Sequence, residues 1–73
     1  MLTLHKMKNK IKEFRKKRGL TQNELSELIG VSRQAINAIE KEKFDPSLPT
    51  AFKLSELFKT SIEELFIFKT LYY

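Results

Sequence analysis

The feature that most constrains this chain is one glycine, Gly30, set between two short runs whose apolar residues recur at helical spacing. Ahead of it, Thr21 and Glu24 have the spacing of a capping box, and Leu25, Leu28 and Ile29 fall on one face of the helix that this box would open. Gly30 stops that helix. Beyond it, Val31 offers an apolar plug to the turn and Ser32 a cap for a second helix, whose Ile36 and Ile39 form a stripe on the same inner side. Residues 21–40 are therefore expected to fold as two helices across a tight turn, with the rest of the chain as support.

The face of the second helix left over holds Arg33, Gln34, Asn37 and Ala38. Arginine can grip guanine through two hydrogen bonds, and Gln or Asn can do the same for adenine, so a DNA major groove can pair with these residues. The arrangement is that of a helix-turn-helix. Charge agrees with it: 14 Lys and Arg against 9 Asp and Glu leave +5, which favours a polyanionic partner.

Seventy-three residues make a single domain, too short for a second domain or a deep enzyme cleft. Apolar residues are spaced rather than run together, so no membrane-spanning stretch of about 20 residues is expected. The absence of cysteine excludes a disulfide frame and a thiolate metal site and suits the cytoplasm. Residues 1–6 hold three apolar side chains and no cleavage motif, so no secretory leader is expected, and Met7 is a second possible start of translation. One histidine, His5, cannot build a metal site, and no cofactor or small-molecule ligand is expected. Catalysis is not expected either. No Ser, His and Asp set can converge, no glycine-rich phosphate loop is present, and the adjacent acids Glu63 and Glu64 diverge on a helix.

Taken in order, residues 1–7 alternate weakly and read as an arm or short strand. A first helix over about 8–18 buries Ile11 and Phe14, keeps Lys10, Lys12, Lys16 and Lys17 on its wet side as candidate phosphate contacts, and ends at Gly19. After residue 40, Lys41 to Ser47 form a loop with the turn dipeptide Asp45-Pro46. Ser47 caps a fourth helix that tolerates Pro49 in its first turn and buries Leu48, Ala51, Leu54, Ser55 and Phe58, with Phe52 and Leu57 at the margins. Ser61 and Glu64 form a second capping box, opening a short helix that buries Ile62 and Leu65. The tail from Phe66 to Tyr73 reads as a strand, apolar on both faces. Surplus apolar surface at Leu57, Phe58, Phe66, Phe68, Leu71 and Tyr72 points to a subunit interface and so to a homodimer.

With these residues in view, the chain resembles the small Cro and repressor type of helix-turn-helix regulators, the xenobiotic-response-element family. The match runs from about Asn9 to Phe66 and is strongest over residues 20–40 and Lys43-Phe44-Asp45-Pro46-Ser47-Leu48. It is closest to compact repressors with a short strand after the helices, such as the enterococcal cytolysin repressor. The resemblance implies an all-α, five-helix bundle of the lambda-repressor-like type, extended by a strand pair from the N- and C-terminal segments. It also implies a homodimer that binds double-stranded operator DNA and represses transcription. By position, Gln22 resembles the glutamine that touches a phosphate and braces the recognition helix, and Ser32 the phosphate-contacting cap. Arg33, Gln34, Asn37 and Ala38 fall where base edges are read, on the helix 33–41 that Lys41 ends, and Lys43 and Asp45 in the loop against the DNA backbone. Arg15 and Glu40 match an interhelical salt bridge. Glu42 stands where the family has a left-handed glycine, a conformation that costs a residue with a side chain about 1 kcal/mol or more. Ser26 replaces the usual alanine with an alcohol that can bond back to the preceding turn.

Two operations fit these residues. One is a regulator reading an inverted-repeat operator; the other is an antitoxin-type module that also binds DNA but holds a partner protein with its apolar tail. A basic protein lying on anionic lipid needs a helix with a broad exposed apolar face, whereas here the stripes share one core.

Overall fold

Residues 5–70 are described by the computed structural model as five helices and two strands: β1 (His5–Asn9), α1 (Ile11–Lys17), α2 (Gln22–Ile29), α3 (Arg33–Glu40), α4 (Leu48–Phe58), α5 (Ile62–Leu65) and β2 (Phe66–Thr70). Four of the helices open on a hydroxyl cap. Thr21, Ser32, Ser47 and Ser61 each accept a bond from the backbone N–H three residues on. The boxes at Thr21 with Glu24 and at Ser61 with Glu64 are reciprocal, so the acid returns a bond to the cap residue.

Helix α1 begins three residues later than its basic pattern suggests, because Lys8 and Asn9 belong to β1. Lys10 supplies no side-chain cap; Asn9 Oδ1 accepts from the Ile11 N–H instead, at 3.2 Å. The same side chain donates from Nδ2 to the Ile39 carbonyl at 2.8 Å, and the Asn9 N–H donates to Glu42 Oε2 at 3.0 Å. Strand β1 is thereby fastened to the start of α1 and the end of α3 before it pairs with β2. The pairing is antiparallel, from His5 opposite Thr70 to Asn9 opposite Phe66.

Helix ends are equally regular. Gly19 and Gly30 take φ of +68° and +89°, and two residues with side chains, Glu42 at +62° and Lys59 at +53°, close α3 and α4 in the same left-handed way. Glu42 therefore adopts the conformation expected of a glycine, at about 1 kcal/mol or more, and its carboxylate bond to Asn9 offsets part of that. Ser26 returns its hydroxyl to the Asn23 carbonyl at 2.7 Å, inside a packed α2.

The core joins Ile11, Leu25, Ile29, Ile36, Ile39, Ala51, Leu54, Phe58, Leu65 and Phe66. Phe14 and Ile62 pack against it half-buried, the Phe14 ring 5.6 Å from that of Phe58. Two expected core positions are exposed. On α2 the buried arc runs through Leu25, Ser26 and Ile29, which turns Leu28 out to 60% exposure. Leu48, in the first turn of α4, lies beyond the core at 66%. In β2, Phe66 is buried, Ile67 half-buried and Phe68 exposed, as the strand runs away from the bundle. Leu71, Tyr72 and Tyr73, like residues 1–4, lie outside the described residues.

The α5 box has a pH signature. Glu64 is held below its ordinary value of 4.5, first by the Ser61 N–H, then by the Ser61 and Thr60 hydroxyls. A depressed folded pKa adds stability above the unfolded value, and this is lost as pH falls through the folded one. Acidification below 4.5 should loosen α5 and its junction with β2. Carboxyl and amide NMR titration checks this; a Glu64 that titrates at its ordinary value would refute the box.

Candidate nucleic-acid interface

Helix α3 owes its position to Gly30 and Ser32. The left-handed glycine turns the chain, and Ser32 Oγ accepts the Ala35 N–H at 3.0 Å, which leaves its own hydroxyl hydrogen available to donate. Ile36 and Ile39 are buried. The remaining face presents Arg33, Gln34 and Lys41, all exposed, with Asn37 and Ala38 half-buried between them. Spacings of three, four and seven or eight residues put these five on one side of a helix.

Behind that face lies a polar network that crosses three helices. Arg15 donates from Nε to Glu40 Oε2 at 2.6 Å and from Nη2 to Oε1 at 3.2 Å, while Nη1 donates to the Leu20 carbonyl at 2.8 Å. The side chains are 10% and 3% exposed, so the pair is nearly dry. Gln22, first residue of α2, donates from Nε2 to Glu40 Oε1 and to Asn37 Oδ1, both at 3.1 Å. Both amide hydrogens are thus committed, and the free Oε1 is an acceptor that a phosphate oxygen would repel. The side chain of Gln22 therefore braces α3, and the donor left here for a phosphate is its backbone N–H at the opening of α2.

Lys43 and Asp45 are exposed in the loop after α3, where the turn at Glu42 sets their path. Part of the basic surface of α1 has structural work. Arg18 donates to the Leu57 carbonyl at 2.8 Å, and Lys17 lies over the Phe14 ring at 5.6 Å. Lys10, Lys12 and Lys16 instead line an open groove with Asn9, Glu13 and Glu40, beside the end of α3. Among the described residues, no cluster of His, Cys, Asp and Glu could hold a metal ion, and no helix is long and apolar enough to cross a membrane.

The residues expected at a subunit contact are divided. Phe58 and Phe66 are core residues of this chain, 5% and 6% exposed, and are corrected from interface to core, because α5 and β2 fold back over α4. Leu57 is half-buried, Phe68 is exposed, and Leu71 and Tyr72 lie outside the described residues. Sequence pattern overlooked the apolar surface that is present. Leu48, Phe52 and Phe44 are more than half exposed, and Leu48 borders a groove of about 250 Å³ lined by Met7, Pro46, Ala51, Ile62 and Phe66. It overlooked Asn9 too, although an asparagine just ahead of an apolar helical pattern is a capping residue type.

A capped helix pair with a left-handed turn glycine, set in a bundle of five helices, defines the class as a Cro/repressor-type helix-turn-helix regulator. The chain belongs to the helix-turn-helix family, whose model matches residues 11–65. It is 52% identical over 63 residues to an uncharacterized HTH-type transcriptional regulator of Methanocaldococcus jannaschii, covering 86% of this chain and 96% of that one. It is 45% identical over 60 residues to the uncharacterized HTH-type transcriptional regulator YgzD of Bacillus subtilis, covering 82% of this chain and 91% of that one. A crystal structure from Bacteroides fragilis, provisionally designated a DNA-binding protein, superposes with a TM-score of 0.73 at 30% identity, over 82% of this chain and 97% of that one.

Removing Glu40 leaves the Arg15 guanidinium nearly dry and unpaired. Glu40→Ala should cost about 3–5 kcal/mol, against a total of about 4–11 kcal/mol for a chain of this length. An unchanged urea midpoint would show that the pair contributes nothing.

Proposed function

We propose that this protein is a sequence-specific, DNA-binding transcriptional repressor of the cytoplasm, a single domain over residues 1–73 that acts as a homodimer on an inverted-repeat operator. The observation that carries the reading is the outer face of α3, where Arg33, Gln34, Asn37, Ala38 and Lys41 stand clear of the core on a helix braced from behind. In the major groove, Arg33 at the first position of α3 pairs with guanine, and Gln34, Asn37 and Ala38 meet neighbouring base edges. Ser32, the backbone amide of Gln22, Lys41 and Lys43 meet phosphates, with Asp45 in the same loop against the backbone. Repression asks nothing more of the fold than occupancy of a promoter.

One recognition helix reads too few base pairs to find an operator, so two copies are needed. A twofold dimer presents its recognition helices about 34–36 Å apart on half-sites one helical turn apart. Exposed Leu48, Phe52 and Phe68 support an apolar contact between copies. The same surface supports the second reading, an antitoxin-type module that holds a partner protein, and co-purification of a defined second chain would favour it.

Selection from random DNA should yield an inverted repeat. Arg33→Ala should then cost about 1–3 kcal/mol on that operator and relax one base pair per half-site. If it weakens operator and random DNA equally, Arg33 is a phosphate contact. With roughly three to five phosphates neutralised per subunit, the dimer's log affinity should fall with log salt at a slope near −5 to −9. Light scattering tests the assembly: a monomer at micromolar concentration that binds one half-site at full affinity would overturn the dimer.

A further inference from the structure

The polar network behind α3 has a direction. Glu40, paired with the Arg15 guanidinium, can only accept. Gln22 must therefore turn its amide nitrogen, not its oxygen, toward Glu40, at 3.1 Å. That nitrogen also meets Asn37 at 3.1 Å, so the group Asn37 offers it must be an acceptor, Oδ1. The reverse orientation of either amide would set donor against donor or oxygen against carboxylate. Asn37 Nδ2 is then left with two hydrogens and no protein acceptor among the described residues, on a half-buried residue of the face that carries Arg33 and Gln34.

We infer that Asn37 is a specificity-determining residue of fixed polarity, a donor that recognises an acceptor edge in the major groove and excludes the two-bond reading of adenine. This rests on the proposed DNA-reading role of α3. An unconstrained asparagine pairs with adenine by donating to N7 and accepting from N6. Here the oxygen needed for N6 is turned toward Gln22, and the amide hydrogens would face the N6 hydrogens. Guanine, with acceptors at both N7 and O6, fits the uncommitted amide nitrogen. The buried ion pair of Arg15 and Glu40, which touches no base, thus sets which base α3 accepts at this position.

The full-length protein tests this directly. Selection from random DNA, followed by competition between operators changed at the single pair opposite Asn37, should give guanine there, with adenine bound roughly tenfold more weakly. Gln22→Leu removes the constraint and frees the Asn37 amide to rotate, so that adenine becomes accepted at that pair and no other. Asn37→Asp keeps an acceptor for Gln22 but turns a carboxylate oxygen outward, and should abolish the guanine preference. It decides the matter should Gln22→Leu fail to fold by circular dichroism. Where the selected pair is A·T, adenine is replaced by purine lacking the 6-amino group. Retained affinity supports the donor assignment, and lost affinity overturns it. A folded Gln22→Leu with unchanged discrimination, or an Asn37→Asp that keeps the guanine preference, also overturns it. A wild-type protein that selects no sequence overturns the DNA-reading role itself, and this assignment with it; a clear operator with adenine read through N6 overturns the assignment alone.

Discussion

The contact on which this structure depends is the ion pair between Arg15 and Glu40. It is short, at 2.6 Å, almost dry, and made by residues 25 positions apart, so it ties the first helix to the end of the third across the core. Burying two charges is expensive, and such a pair adds little net stability over well-packed apolar residues. Its value lies in direction. Packing alone would let α3 slide or rotate over Ile36 and Ile39, because apolar contact is not directional. Two bonds from one guanidinium to one carboxylate fix both the depth and the rotation of the helix that faces outward.

Around that pair, polar groups are satisfied by partners that also position something. Asn9 accepts the Ile11 N–H at the start of α1 and donates to the Ile39 carbonyl at the end of α3, so the strand pair and the helix-turn-helix share one junction. Gln22 opens α2 and braces α3. Among the described side chains, no buried nitrogen or oxygen lacks a partner. In a domain this small, where one unsatisfied group costs about 1–3 kcal/mol, that economy is a condition of folding.

What could be read from the chain and what could not divide by distance along it. Caps at Thr21, Ser32, Ser47 and Ser61 were legible because each needs only its own residue and the one three later. Gly30 was legible because a left-handed turn demands it. The pairing of Arg15 with Glu40 came only through family resemblance, since nothing local links the two. The start of α1 was misjudged for the same reason: Lys8 and Asn9 look helical until the partners of Asn9, Ile39 and Glu42, come alongside. Leu28 and Leu48 fit an apolar stripe, but whether a stripe is covered depends on which neighbours arrive, and here both stay more than half exposed. The commitment of the Gln22 amide nitrogen to Asn37 and Glu40 was not legible either, because those partners lie 15 and 18 residues away.

The two non-glycine residues in left-handed conformation show how local cost is set against tertiary need. Lys59 and Glu42 each lose about 1–2 kcal/mol relative to a right-handed residue, and a glycine would relieve it. At Glu42 glycine would also remove the carboxylate that accepts the Asn9 N–H at 3.0 Å and with it one of the two bonds from Asn9 that hold β1 against the end of α3. Strand pairing with β2 is the other restraint on β1, and an isolated pair of strands is marginal in water. The side chain at position 42 therefore couples the sheet to the recognition helix, and backbone strain at the turn is balanced by anchoring a strand that could not hold itself in place.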